Sequence, residues 1–426
     1  MVTTTSSTQS GWRDALRWGF GVALAHRLLL TMWLATVWLT VGEPAQLPVH
    51  LLSDPIAQLP AMTTPTERAL IGIWRRWDGS HYLNLAQNGY RLEDPGPTVF
   101  GPLAPLGIRL VDAVLPSPLE IAGVVFSTFM FGLALTLLHR FVGLTWADSA
   151  LARRSVIVMA LLPLSYFFAA PMSEAPYLTM VLGFFVFGAS RQWWLAALCG
   201  ALATLARSQG VLLIGVGGLM LIWQATQVKG LFRPVGDTPK AGINWQGMGR
   251  YVLGQGWPLF LLPLAYLGFM LYRGSLGLPP IEAIFYERSY VALVDPVTGL
   301  LSNLRQIALD PINALQNVDY LALLIAMVLI GLMVWERRFR QWHLIAFCAG
   351  YLLVFVSKLN YPWGSYDTLL GTQSMARYTL TLFPLTILVT DGLWRLPKFA
   401  RLLVMVASLL GLLAFSAQFA LGGGPA

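Results

Sequence analysis

Asp78, His81 and Tyr82 bring a carboxylate, an imidazole and a phenol together in the stretch Trp77-Asp78-Gly79-Ser80-His81-Tyr82-Leu83-Asn84-Leu85-Ala86-Gln87-Asn88-Gly89-Tyr90. Asp78, His81, Tyr82 and Leu85 recur at helical spacing, so a helix here would show all four on one face. A carboxylate within hydrogen-bond reach of an alcohol can take its proton as the oxygen attacks an electrophile. Asp78 is therefore a candidate general base. A local structural role is equally open. Asp78 could cap the helix through its carboxylate, Gly89 could end it, and Trp77, Tyr82 and Tyr90 could anchor it at a membrane surface.

The elements that must position this stretch are mostly apolar. The chain has 426 residues, 56% hydrophobic and 11% charged, against about 25% charged in soluble domains. Mean hydropathy is +0.63. Apolar runs of about 20 residues, enough to cross a hydrocarbon core, recur from Ala15 to the C-terminus. They are continuous rather than alternating, which argues against a β-barrel. The fold class is an all-α polytopic membrane protein, 1–426 forming a single integral membrane domain. About eleven transmembrane helices are expected, near 15–41, 120–138, 155–170, 177–190, 194–205, 211–223, 257–272, 320–335, 343–356, 378–389 and 402–421. Residues 1–12 read as disordered. Arg13 and Arg17 precede a run too long for a signal peptide, so it is taken as a retained first helix.

Basic residues set the orientation. With the N-terminus in the cytoplasm, Arg140, Arg153, Arg154, Arg337, Arg338, Arg340 and Arg395 fall on the inner side, with the 224–255 loop. The polar segments 43–118, 273–318 and 357–377 then share the non-cytoplasmic face, where a site is expected. Amphipathic helices are expected in the first of these segments, and the stretch Ile281–Leu293 reads as lying on the membrane. A net charge of +8 reports topology here, not nucleic-acid binding. Cys199 and Cys348 lie in apolar runs and read as small buried hydrophobes. No CxxC or HExxH spacing points to a metal.

Other polar residues carry two readings each. Arg207 and Arg377 sit at helix ends, where they could snorkel or clamp a phosphate, which a guanidinium matches in shape. Arg75 and Arg76 could bind phosphate or lipid headgroups. Glu174 ends an apolar helix, either simply solvated or binding an acceptor. Lys358, Asn360, Tyr361 and Tyr366 could line a site or form a loop. His26 and Arg27 lie deep in the first helix, where an intramembrane charge marks function by default or pairs with another helix.

Trp77-Asp78-Gly79-x-x-Tyr82-x-x-x-Ala86-x-x-Gly89-Tyr90 after a first apolar helix resembles the PIG-V family, the glycosylphosphatidylinositol mannosyltransferase II family and its prokaryotic relatives. Further stretches resemble it in the same order: Phe100 to Leu110, Pro171-Met172-Ser173-Glu174, Ala206-Arg207-Ser208-Gln209-Gly210, and Arg377-Tyr378 through Phe383-Pro384. Gly101, Ala104 and Gln209 stand where the family usually has an aromatic residue, Tyr and Asn. The resemblance implies a GT-C glycosyltransferase fold with Asp78 catalytic in the first non-cytoplasmic loop. It implies an inverting transfer of mannose from a polyprenyl- or dolichyl-phosphate donor to a lipid-linked glycan or glycolipid, with no metal cofactor. Arg207, Arg377, Arg75 and Arg76 would then bind the donor phosphate, and Trp77, His81, Tyr82, Glu174, Lys358 and Tyr361 the substrates. The membrane would be a bacterial plasma membrane or an endoplasmic reticulum. A transporter or flippase of lipid-linked sugars and a non-catalytic scaffold are the alternatives. A transporter would show internal repeats and midplane charges, and no clear repeat is present.

Overall fold

The computed structural model describes residues 4–41, 59–228, 232–234, 241–243, 245–289, 291–361, 371–372 and 374–421; Tyr366 lies outside them. Helices dominate. The first, α1, runs Thr4–Val41 and so begins inside the stretch expected to be disordered. The first polar segment holds α2 (Pro65–Leu70), α3 (Asp78–Asn88) and α4 (Leu103–Val114). Then come α5 (Leu119–Trp146), α6 (Ser149–Leu161), α7 (Glu174–Ala189), α8 (Trp193–Ala206) and α9 (Leu213–Thr226). The remaining helices are α10 (Trp245–Gly256), α11 (Leu261–Ser275), α12 (Ile281–Ser289), α13 (Pro296–Leu309), α14 (Pro311–Gln316), α15 (Val318–Trp335), α16 (Trp342–Val356), α17 (Met375–Thr379), α18 (Phe383–Arg395) and α19 (Lys398–Leu421).

Every expected span overlaps a helix, yet among the described residues only 6 are long and apolar enough to cross a membrane. Those cover Gly11–Val41, Leu119–Trp146, Ser208–Thr226, Trp245–Ser275, Val318–Trp335 and Lys398–Leu421. The chain is an integral membrane protein, but the count of eleven full spans is not matched. The third expected span stops early because Pro163 cannot continue a helix. Leu162 is already extended (ψ 140°), and Ser165–Phe168 forms a 3-10 turn instead. The 224–255 loop is partly helical too, since α10 runs through a 3-10 turn into α11.

The frame is a chain of helix contacts, α1 on α5, α5 on α7, α7 on α8 and α8 on α11. Its interior is aromatic. Phe131 stacks on Phe168 at 4.8 Å, and Phe141, Phe185, Phe347 and Phe383 meet edge to face or tilted. Buried Arg27 has a structural role. Its Nε donates to Thr128 Oγ1 at 2.8 Å, an Nη donates to the Ala169 carbonyl, and the guanidinium lies 4.6 Å from the Trp74 ring centre. His26 Nε2 lies 3.0 Å from Ser165 Oγ. These two side chains tie α1 to the turn that precedes α7.

Two short β-pairs occur among the described residues. Phe232–Pro234 (β1) pairs antiparallel with Ala241–Ile243 (β2), and Val291–Leu293 (β3) with Lys358–Asn360 (β4). In the second pair Leu293 lies opposite Lys358, so the second and third polar segments join in one structure.

The first segment is pinned to the frame by Arg75. Its Nε donates to Glu120 Oε1 of α5 at 2.6 Å and its Nη1 to the Pro60 carbonyl at 2.7 Å. Both members of the ion pair are buried. Removing one member leaves a buried charge unpaired, a cost of about 3–5 kcal/mol. Arg75→Ala is expected to lower the thermal midpoint of the detergent-solubilised protein sharply. The double variant Arg75→Met/Glu120→Leu should recover most of that loss.

Candidate active site

Helix α3 starts at a strained corner. Trp77, the residue before it, has φ 54° and ψ −138°, a region that costs a non-glycine residue about 1–3 kcal/mol. Ser80 Oγ donates to the Trp77 carbonyl at 3.0 Å and helps hold the corner. Gly79 is required next to it, because a Cβ there would sit 2.7 Å from the Trp74 carbonyl oxygen. Gly89, at φ 72°, ends the helix as the spacing suggested. Asp78, however, is the first residue inside α3 and makes no cap. The local capping role is thereby removed for its carboxylate, which faces another partner.

That partner is Arg377 of α17, whose Nη1 lies 2.6 Å from Asp78 Oδ2. The Nε of Arg377 donates to Glu174 Oε1, and the same oxygen accepts from Arg207 Nη2. Arg207 Nε also donates to Ser173 Oγ at 2.7 Å. Glu174 opens α7, where the helix N-terminus favours a carboxylate. Residues from four distant parts of the sequence thus form one chain: Asp78, Arg377, Glu174, Arg207.

This chain borders an open cleft of about 710 Å³, lined by Asp78, Tyr82, Ser173, Arg207, Gln209, Lys358, Arg377 and Tyr378 among others. Its apolar side includes Tyr266, Phe269 and Met270 of α11, and Ile281 and Phe285 of α12. Lys358 points among aromatic faces, with its Nζ 5.0 Å from the Phe285 ring centre, 5.6 Å from Phe355 and 5.9 Å from Tyr378. Arg207, Arg377 and Lys358 face Asp78 and Glu174, so the cluster carries one excess positive charge at neutral pH.

The titration shifts follow from this crowding. Burial raises the Asp78 carboxyl, but Arg377, His81 and Arg207 outweigh it and hold the group below its ordinary value. Burial would depress Arg377, yet Asp78 and Glu174 hold it well above the ordinary guanidinium range. Burial and the neighbouring Arg207 pull Lys358 down to about 8, against the opposing pull of Asp78. Burial pushes the Tyr82 phenol up, so it stays a neutral hydroxyl.

Several expected site residues lie elsewhere. Arg75 is spent on Glu120 and the Pro60 carbonyl. Arg76 Nε donates to the Phe419 carbonyl at 3.1 Å. Trp77 packs edge-on to Phe167 at 6.0 Å. His81 is exposed and stacks on Phe100 at 5.6 Å. Tyr361 meets the Tyr286 ring at 6.1 Å. None of these five is in the cleft lining. Glu174 is fully buried behind the cleft and holds its arginines rather than facing a substrate. The stretch expected to lie on the membrane, Ile281–Leu293, instead supplies a cleft wall through α12 and pairs with the strand carrying Lys358.

Gly101 has a packing reason. A Cβ there would collide with the carbonyl oxygens of Leu205 and Ala206, at the end of α8 beside Arg207. An aromatic side chain would push this wall away from the cleft.

Asp319 was missed by sequence reasoning. It is buried at the start of α15, and its two carboxylate oxygens accept from the backbone N–H groups of Ser374 (2.7 Å) and Ala376 (2.8 Å). It thereby fixes the short helix that presents Arg377. An acid at the head of an apolar run looks like a local cap, and nothing in the sequence links it to 374–376. Asp319→Ala is expected to lower turnover about 100-fold, the scale of an ångström-level misplacement. Asp319→Asn, which keeps one acceptor, should recover part of it, as steady-state kinetics on folded protein would show.

Part of the chain resembles a known family. Residues 22–231 match the family model described as Mannosyltransferase (PIG-V). A search of curated proteins found no match. Among solved structures, an Archaeoglobus fulgidus oligosaccharyltransferase bound to zinc and sulfate is 11% identical, with a TM-score of 0.44 over 92% of this chain and 53% of that one. The same enzyme tethered to an acceptor peptide is 12% identical, with a TM-score of 0.45 over 96% and 56%. The archaeal oligosaccharyltransferase AglB from that organism, bound to an inhibitory peptide and a dolichol-phosphate, is 10% identical, with a TM-score of 0.42 over 95% and 56%. The chain thus spans little more than half the length of these structures. Residues 22–231, which contain Asp78, Glu174 and Arg207, are thus similar to the PIG-V mannosyltransferase family.

Proposed function

We propose that the protein transfers mannose, with inversion, from a polyprenyl- or dolichyl-phosphate donor to a hydroxyl of a lipid-linked glycan or glycolipid. The observation that supports this best is the contact of Asp78 with Arg377, which joins a candidate base to a cationic cluster in one cleft. The acceptor oxygen attacks the anomeric carbon of mannose and its proton passes to the Asp78 carboxylate. The bond from that carbon to the phosphate oxygen breaks, and the lipid phosphate leaves with the electron pair. Arg207, Arg377 and Lys358 offset the charge gathering on that phosphate. The GT-C frame and a non-cytoplasmic active face belong to the same proposal, the second on the distribution of basic residues.

Arg377 then has two roles in sequence. In the free enzyme it lowers the basicity of Asp78. A donor phosphate that draws the guanidinium toward itself releases the carboxylate, so the base gains strength once the donor is bound. Charge neutralisation by three protein cations also makes a metal unnecessary for this step.

The test is transfer from radiolabelled polyprenyl-phosphate-mannose by purified protein. Asp78→Asn is expected to cut kcat about 10²–10⁴-fold, the range of general-base catalysis, with unfolding behaviour unchanged and transfer insensitive to EDTA. Wild-type rates in Asp78→Asn sink the base assignment. The acid limb of kcat/KM, which reports free enzyme, should lie below the ordinary carboxylate range, and that of kcat should lie higher. Lys358 is charged below about 8 and neutral above it. The KM for donor should therefore rise as pH climbs through 8, and Lys358→Arg should shift that rise to higher pH.

A further inference from the structure

Away from the cleft, an open crevice of about 700 Å³ lies where α1 meets α6, lined by Asp14, Arg17, Trp18, Gly21, Val22 and Arg153. It sits at the far end of the helix frame from Asp78. Glu120 of α5 holds Arg75, just before Asp78 in the chain, and His139 of the same helix lies 3.5 Å from Asp14. The rise along α5 between these two contacts is roughly 28 Å, close to the ~30 Å thickness of a hydrocarbon core. The crevice and Asp78 therefore belong to opposite membrane surfaces.

Two guanidinium groups and one carboxylate line the crevice, which leaves it an excess positive charge. Arg17 is exposed and makes no ion pair or hydrogen bond among the described residues. Arg153 is exposed too. Its Nε is 3.9 Å from Asp14 Oδ2, and its guanidinium lies 6.0 Å from the Trp18 ring centre. That ion contact is long for a charge-assisted bond, so Arg153 keeps N–H groups for another acceptor. From the arginines inward, α1 offers a track for a chain. Arg17, Gly21, Leu24, Leu28 and Met32 follow at three- and four-residue steps and share one face. Gly21 leaves a notch, because a Cβ there meets nothing within 4 Å. Leu24, Leu28 and Met32 are exposed. From Gly21 to Met32 the helix rises roughly 16 Å, about half the hydrocarbon core and so the depth of one leaflet.

We propose that this crevice binds a phospholipid with an anionic headgroup, drawn from the leaflet opposite the surface where Asp78 lies. Its phosphodiester meets Arg17 and Arg153, and an acyl chain follows Gly21, Leu24, Leu28 and Met32. Trp18 sits at headgroup level, where an indole is favoured. Charge and depth together name the occupant. A zwitterionic lipid leaves the excess charge unanswered, and a free phosphate leaves the apolar track bare. The bound lipid bridges α1 and α6 and is neither donor nor acceptor, so the site stands apart from the transferase reading.

The test titrates full-length protein in neutral detergent with phosphatidylglycerol, phosphatidylcholine and inorganic phosphate, and reads bound lipid by native mass spectrometry. Arg17→Gln and Arg153→Gln change exposed side chains, and Gly21→Leu puts a side chain into open space. Wild-type protein should prefer phosphatidylglycerol to phosphatidylcholine and keep it in excess inorganic phosphate. Each arginine variant should weaken phosphatidylglycerol about fivefold, the effect of one basic residue at an anionic membrane surface, and leave phosphatidylcholine unchanged. Gly21→Leu should weaken phosphatidylglycerol with every charge in place. Arg109→Gln removes an exposed charge from α4, which packs on α3 at the Asp78 end, and should have no effect. Undiminished phosphatidylglycerol binding in Arg17→Gln/Arg153→Gln overturns the proposal. So does an equal loss in Arg109→Gln, which would reduce the attraction to net charge. Release of the lipid by inorganic phosphate, or indifference to Gly21→Leu, overturns it as well, since the crevice would then hold an anion and no acyl chain.

Discussion

The site depends on one carboxylate that never reaches its surface. Glu174 holds two guanidinium groups on a single oxygen at the head of α7. Arg207 and Arg377 would repel each other at this separation if that charge were absent. A buried acid is costly unless paired and hydrogen-bonded, and here the pairing fixes geometry. Arg207 comes from the end of α8 and Arg377 from α17, and Glu174 sets the distance between them. The helix N-terminus beneath Glu174 adds its own stabilisation.

Around that centre the supports form a hierarchy. Asp319 anchors α17 from α15, so the position of Arg377 is set at its backbone as well as its side chain. Arg75 and Glu120 fasten the segment leading into α3 onto α5. Arg27 and His26 fasten the turn before α7 onto α1. Each support is a polar group inside an apolar frame, where a satisfied hydrogen bond is strong and an unsatisfied one expensive. Intramembrane charge in this chain therefore marks support as much as chemistry.

The charges of the cluster largely answer one another. Three cations oppose two carboxylates, and under the proposed transfer the excess charge would suit a phosphodiester carrying one negative charge. In that proposal Lys358, pulled down to about 8 by burial and Arg207, would be held more firmly protonated as charge gathers on the leaving phosphate. The aromatic faces around it stabilise the cation without supplying a competing anion.

Much of this was legible in the sequence. Continuous apolar runs require helices in a membrane, because backbone groups must find partners inside the segment. The Asp78 stretch announced a helix closed by Gly89, and the spaced motifs singled out Asp78, Arg207 and Arg377, which the fold brings to one cleft. What the sequence could not decide was which polar residues meet. Arg75 and Arg76 sit beside Asp78 in the chain, yet their side chains turn to Glu120 and the Phe419 carbonyl, while Arg377 arrives from 299 residues away. Helix boundaries at Pro163 and through Trp245–Gly256, the wall supplied by α12, and the role of Asp319 likewise needed the fold. Periodicity and motifs record what each residue is and which face it shares. Long-range pairing of charges is settled only when desolvation forces each buried group to find a partner in three dimensions.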